Sequence, residues 1–151
     1  MERIFYNIDS ALRYNRSFSV EAFGNSRVSN FEIEPVLYFR YGNKQFVKDG
    51  IVMDAYIYEA FIIPVLINGD KFYVIYTQDF LTSESSNNQI NVDVRGLTLK
   101  LKVNTSTENW WVSIHDEKSI KSYVRYIVSK EDWYPEFLNK EDAERFSKLG
   151  E

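Results

Sequence analysis

The chain has no cysteine, one histidine, three prolines and six glycines among its 151 residues. Without cysteine it forms no disulfides and no thiolate metal sites. With His115 as the sole imidazole, a metal site built on several histidines cannot form within one chain. A Ser-His or Cys-His nucleophile would likewise have one base to draw on. The glycines compose no phosphate-cradling loop. Long apolar runs are missing too. The longest, residues 60–67, has eight residues, against about 20 for a membrane-spanning helix, so no membrane association is expected. Residues 1–6 show no basic flank leading into an apolar segment, so no secretory signal is read there and a cytoplasmic location is the expectation.

Charge of one sign is also scarce. The formal net charge is −4, and no segment gathers the clustered Lys and Arg that a phosphate backbone requires, so no nucleic-acid partner is expected. The acidity is equally too weak for mimicry of DNA. What the chain does hold in quantity is aromatic: eleven Tyr, eleven Phe and three Trp. That exceeds what one small core usually consumes, and every buried tyrosine hydroxyl needs a partner.

The body reads as antiparallel sheet. Residues 89–94 and 97–103 alternate strictly between apolar and polar on both sides of Arg95-Gly96, as the half-buried arms of a hairpin do. A two-residue loop there sets Val94 opposite Leu97, Val92 opposite Leu99 and Ile90 opposite Leu101. Asn91, Asp93, Thr98, Lys100 and Lys102 then share the other face. Arginine is not the preferred first residue of such a loop. Gly42-Asn43, Asp49-Gly50 and Asn68-Gly69 are further short-hairpin signals. A strand at 18–23 ends at Gly24-Asn25, and 55–61 reads as extended. Pro64 marks an edge, a bulge or a break, and Pro35 acts similarly after 31–33. The polar stretch 82–88 lacks an apolar anchor and reads as a mobile surface loop.

After Trp110-Trp111-Val112-Ser113-Ile114 the period changes from two to 3.6. Ile120, Tyr123, Val124, Ile127 and Val128 form one apolar helical stripe, with Asp116 as N-cap and Glu117 in the first turn. A second helix starts after Asn139, buries Ala143, Phe146 and Leu149, and stops at Gly150. The aromatic connector 133–138 packs on the body, and a weaker helical signal covers 10–14 behind Asp9. The expected architecture is one α+β domain over residues 1–151. A strongly curved antiparallel sheet of about seven to nine strands, a barrel or half-barrel, precedes two C-terminal helices, at least one of which covers an open face or end of the sheet.

Chemistry-bearing constellations are few. Trp110, Val112 and Ile114 alternate with Trp111, Ser113 and His115, so inward placement of the first set gives the second a common face carrying a Trp–His surface or a lone general base. Asp93 with Asp116 and Lys118 follows the order of acidic ligands and lysine that metal-dependent nucleases place on adjacent strands. Here, however, Asp116 and Lys118 fall at a helix start, where capping accounts for Asp116. Glu32 with Glu34 and Asp54 with Glu59 are carboxylate pairs near in sequence, but glycoside chemistry needs a defined separation in space. Asn15-Arg16-Ser17 and Asn104-Thr105-Ser106 match the glycosylation pattern, which matters only in a secreted chain.

These exclusions leave the aromatics. Tyr38, Tyr41, Tyr56, Tyr58, Tyr73 and Tyr76, with Trp111 and His115, are the candidate partner-binding surface, because Tyr and Trp bury large area at interfaces for little rotamer entropy. The leading expectation is non-catalytic protein binding, as in a small cytoplasmic inhibitor, immunity or accessory protein. The partner is another protein or a second copy of the chain. No cofactor and no catalytic or metal-binding residue is assigned. A second reading is a barrel-like protein holding a small apolar ligand among Tyr and Phe side chains. A third is a hydrolase or nuclease using acidic residues and a metal, which requires Asp93, Asp116 and Lys118, or another carboxylate group, to converge in one cleft.

Overall fold

Alternation along the strands sorts apolar side chains onto two faces of one sheet, and that sorting sets the layers. The computed structural model describes residues 3–4, 18–24, 28, 30–42, 45–54, 57–78, 84–86, 89–103, 110–130 and 135–151. Its strands are β1 (Arg3–Ile4), β2 (Phe18–Phe23), β3 (Phe31–Ile33), β4 (Leu37–Gly42), β5 (Gln45–Lys48), β6 (Ile51–Asp54), β7 (Ile57–Ile67), β8 (Asp70–Thr77), β9 (Glu84–Ser86), β10 (Gln89–Val94), β11 (Leu97–Val103) and β12 (Trp110–His115). Helix α1 (Glu117–Ser129), strand β13 (Glu136–Phe137) and helix α2 (Lys140–Leu149) follow. The class is the expected α+β. Strands β2, β4, β7, β8, β10, β11 and β12 each have six residues or more, and the rest are short.

An eight-stranded sheet runs β1-β13-β4-β7-β8-β12-β9, with β3 also paired to β7, and a three-stranded sheet runs β10-β11-β2. Neither closes on itself, so the barrel-like curvature expected from sequence takes the form of two stacked open sheets. Pairing is antiparallel throughout, apart from the two-residue parallel contact of β1 with β13.

Strand β7 shows why there are three layers. Phe61, Ile63, Val65 and Ile67 face the small sheet, where they pack with Val92, Val94, Leu97, Leu99 and Leu101. Ala60 and Ile62 face the helices and join Ile120, Tyr123, Val124, Ile127, Ala143 and Phe146. A strand buried on both sides carries a near-continuous apolar run, which is what residues 60–67 are. Aromatic rings fill both cores. Between the sheets, Phe61 stacks on Phe18 at 4.2 Å and meets Tyr38 at 5.0 Å and Trp110 at 5.8 Å. Under the helices, Phe39 meets Phe146 at 4.9 Å and Phe137 at 5.9 Å. Each such pair adds about 0.5–1.5 kcal/mol beyond its buried area.

The hairpin 89–103 has the register read from its sequence, Val94 to Leu97, Val92 to Leu99 and Ile90 to Leu101. Arg95 and Gly96 both take positive φ, 49° and 80°, as a two-residue primed turn demands. The arginine has a use there: its guanidinium pairs with Asp70 and lies 5.0 Å from the Phe72 ring centre.

Among the described strands, β4 pairs with β7 and β13, and β5 pairs with β6 about the Asp49-Gly50 turn, so no pairing of β4 with β5 is found among them. Two expectations are corrected. Pro64 does not break β7. Opposite it the partner changes from β4 to β3, the register shifts by one residue, and Glu34 N–H donates to the Pro64 carbonyl at 3.0 Å. The break lies in the partner, as a bulge around Pro35. Within the polar stretch 82–88, Glu84–Ser86 forms edge strand β9 against β12, since backbone pairing at an edge needs no apolar anchor.

The helix caps are as read: Asp116 accepts from Ser119 N–H at 2.8 Å and Asn139 from Asp142 N–H at 2.8 Å. Val128 leaves the expected stripe and is 58% exposed, because it lies roughly 90° around the helix from the stripe's centre at 3.6 residues per turn. Part of the aromatic connector becomes β13, whose Glu136 and Phe137 pair with Arg40 and Phe39 of β4. The expectations at residues 10–14, 133–134, Asn25, Asn43 and both glycosylation patterns lie outside the described residues. Among the described residues no helix is long and apolar enough to cross a membrane.

Arg40 sits between Glu59 and Glu136 in the cross-strand register, and its Nη2 lies 3.3 Å from the Glu136 carboxylate. Glu136 is 4% exposed, so losing the Arg40 guanidinium removes one of the groups that compensate a buried carboxylate. Arg40→Met should lower the unfolding free energy by about 1–3 kcal/mol, and adding Glu136→Gln should recover part of that loss in urea unfolding. An additive double variant would show that the pair is not coupled.

Candidate functional site

The candidate aromatic surface divides into separate groups. Tyr38 and Tyr76 belong to the core between the sheets, and Tyr41 and Tyr73 to the core under the helices; none is more than 5% exposed. Two cores rather than one consume these rings. The Tyr41 hydroxyl lies 3.2 Å from Thr77 Oγ1, which itself donates to the Glu59 carbonyl at 3.0 Å. Tyr58 is half-buried opposite Tyr41, with ring centres 5.8 Å apart. Tyr56 lies outside the described residues. Trp111 and His115 are partly accessible, as Tyr58 is, and they share the helix-facing side of β12 as the alternation required.

His115 stands where three elements meet. Its cross-strand partner on β8 is Tyr73, its ring centre is 5.9 Å from that of Tyr123 on α1, and its Nε2 is 2.6 Å from Ser113 Oγ. Burial holds the imidazole below the ordinary histidine value of 6.5, while the neighbouring Asp116 charge opposes that shift. The Asp116 carboxylate is itself held low by the backbone N–H of Ser119 at the helix cap. Ser113 and His115 form half of a nucleophilic arrangement, but the nearest carboxylate is engaged in capping α1 rather than orienting the imidazole.

Beside His115 an open cleft of about 570 Å³ is bounded by Ile114 and His115 of β12 and by Lys118, Ser119, Ser122, Tyr123 and Tyr126 of α1. Successive strand residues point to opposite faces, so a cleft bounded by both Ile114 and His115 opens onto the edge of the strand. Among the described residues, β9 pairs with Trp110, Trp111 and Val112. Among the described residues, nothing pairs with Ser113, Ile114 and His115 on the side away from β8. Ile114 is 42% and Tyr126 40% exposed, which places apolar surface on both walls. Lys118 supplies charge, and Lys130 Nζ lies 4.6 Å from the Tyr126 ring centre. Sequence reasoning missed Tyr126, set Ile114 on the inward face although it is exposed, and weighed Lys118 only with Asp93 and Asp116. The signal present was a tyrosine on α1 outside its apolar stripe.

Asp93, Asp116 and Lys118 occupy different surfaces. Asp93 accepts from Thr98 Oγ1 at 2.7 Å on the outer face of the small sheet, while Asp116 and Lys118 begin the helix on the other side of the large one. No group of three or more His, Asp or Glu is gathered for a metal among the described residues. No protein-family model, curated protein or solved structure matches the chain, so function is argued from its own residues.

As the only histidine, His115 gives one resolvable imidazole signal in NMR. Its titration should fall below pH 6.5. Because the unfolded chain binds this proton more readily than the folded one, the stability conferred is complete above pH 6.5 and lost as pH falls through the folded value. His115→Gln should flatten that part of the stability profile. A midpoint at or above 6.5 would contradict the buried environment.

Proposed function

We propose that the protein is a non-catalytic binding module, a small cytoplasmic inhibitor, immunity or accessory protein, whose partner docks along the edge of β12. The partner adds an extended segment to the sheet, with α1 as the second wall. The observation that carries the reading is an open cleft flanked by exposed Ile114 and Tyr126, beside a β12 edge at Ser113–His115 that no described strand pairs with on the side away from β8. Strand addition draws affinity from main-chain hydrogen bonds and specificity from alternate side chains. Neighbouring apolar residues of the segment, which point to opposite faces, would rest one on Ile114 and one on Tyr126.

Charge narrows the partner. Among the described residues, the cleft's charged wall residue is Lys118, and Lys130 lies over the Tyr126 ring, on a chain whose net charge is −4. A partner strand with an acidic residue beside its apolar ones complements that local field. Only the rim of the aromatic set named from sequence, Trp111 and His115, takes part; the buried tyrosines hold the scaffold.

A photo-crosslinking amino acid placed at Tyr126 in the source cells should yield a discrete adduct, whereas the same group at exposed Phe23 on the small sheet should not. Ile114→Asp should abolish the Tyr126 adduct by weakening binding at least about tenfold. An adduct containing a second copy of the chain would replace the foreign partner with a homodimer. Equal adducts from both positions, or one indifferent to Ile114→Asp, would sink the proposal.

A further inference from the structure

A second concavity lies on the far side of Tyr73 from His115. It has a volume of about 160 Å³, an apolar floor of Leu37, Ile62 and Leu149, and a rim bearing Glu34, Lys71, Arg145 and Lys148. The bulge around Pro35 and the last turns of α2 build it. Three cations therefore face one carboxylate, and that carboxylate is already paired: Lys71 Nζ is 2.9 Å from Glu34. Tyr73 is packed in the helix-side core beside it, which fixes one wall.

The cations differ in how they are held. Arg145 donates through Nη1 to Asp142 at 3.2 Å and through Nη2 to the Pro35 carbonyl. Those two bonds fix the plane of a guanidinium that carries five N–H donors, leaving others to serve a ligand. Lys148 makes no ion pair among the described residues. A held arginine and an unpaired lysine above an apolar floor are complementary to a carboxylate attached to a small apolar body. At about 30 Å³ per water the space equals some five waters, which admits a compact ring or short chain and shuts out a long acyl chain.

The geometry points to a binding site for a small organic anion, its carboxylate held by Arg145 and Lys148 and its apolar body resting on Leu37, Ile62 and Leu149. A free organic acid and the C-terminal residue of a peptide offer this chemistry equally. The site is distinct from the β12 edge, shares no lining residue with that cleft, and stands or falls separately from the proposed function.

The test is an NMR titration of the whole chain with benzoate, with neutral benzamide, with inorganic phosphate, and with Gly-Gly-Phe bearing a free C-terminus. Benzoate should shift the amides around Arg145, Lys148 and Leu149 saturably, with half-saturation at about 0.1–10 mM, the range open to a ligand of some nine atoms. Benzamide lacks the charge and phosphate lacks the apolar body, so neither should saturate there. Lys148→Met should weaken benzoate about tenfold and leave the thermal midpoint within about 3 °C. If the peptide binds more tightly than benzoate, the ligand is a chain end; if less tightly, a free acid. Equal binding of benzamide, no saturable shift from either carboxylate, or indifference to Lys148→Met would overturn the assignment.

Discussion

Burial of β7 on both faces is the constraint on which the rest of the structure depends. From Glu59 to Val65 every residue except Pro64 is among the buried hydrophobic or buried charged positions, and neighbouring residues serve different cores. A one-residue slip would exchange the two sets, sending Phe61 and Ile63 to the helices and Ile62 to the small sheet. Rings sized for one core would then have to fill the other. Register is therefore fixed by volume as well as by hydrogen bonds, and the eleven-residue strand can be long without being ambiguous. The part-buried Arg40–Glu136 pair adds a polar marker of the same register, because only one alignment of β4 against β13 and β7 sets Arg40 between Glu136 and Glu59.

Covering both faces of the large sheet leaves little surface on which a partner could meet a sheet face. Apart from exposed Phe23, the outer face of the small sheet is polar and of mixed sign, with Lys100 opposite Glu21 and Asp93 bonded to Thr98. Distinctive chemistry is consequently displaced to rims, where one layer ends before its neighbour. Among the described residues, β12 runs past the part of β9 that pairs with it, and Ser113–His115 lie beside α1. At the other rim, the bulge around Pro35 and the turn-by-turn descent of α2 leave a gap over Leu37 and Ile62. Both concavities are consequences of unequal element lengths.

What was legible in the sequence is what local rules govern. The Arg95-Gly96 hairpin register follows from alternation on both arms. The caps at Asp116 and Asn139 follow from the side-chain oxygen that an N-terminal turn needs. The common side of Trp111, Ser113 and His115 follows from the two-residue period of a strand. Non-local pairing was not legible. Alternation says that two faces differ but not what covers each, so the tyrosines of β4 and β8 read as surplus until a second core receives them. The stretch 82–88 reads as loop because side-chain polarity is silent about whether backbone groups find a partner. The edge at Ser113–His115 was hidden for the same reason, since it depends on where β9 stops. Pro64 was correctly read as a disturbance, but the disturbance lies in the strand across from it.

The lone histidine then has a position that composition could not reveal. Tyr73 of β8 pairs with His115 on one side and lines the small pocket on the other, so one buried ring separates the two rims. Burial raises the tyrosine above its ordinary value while the Lys71 charge opposes that shift, and burial lowers the histidine. Both therefore stay neutral near pH 7. A neutral wall lets each rim hold charge without placing an opposite charge in the layer between them, and desolvation maintains that neutrality.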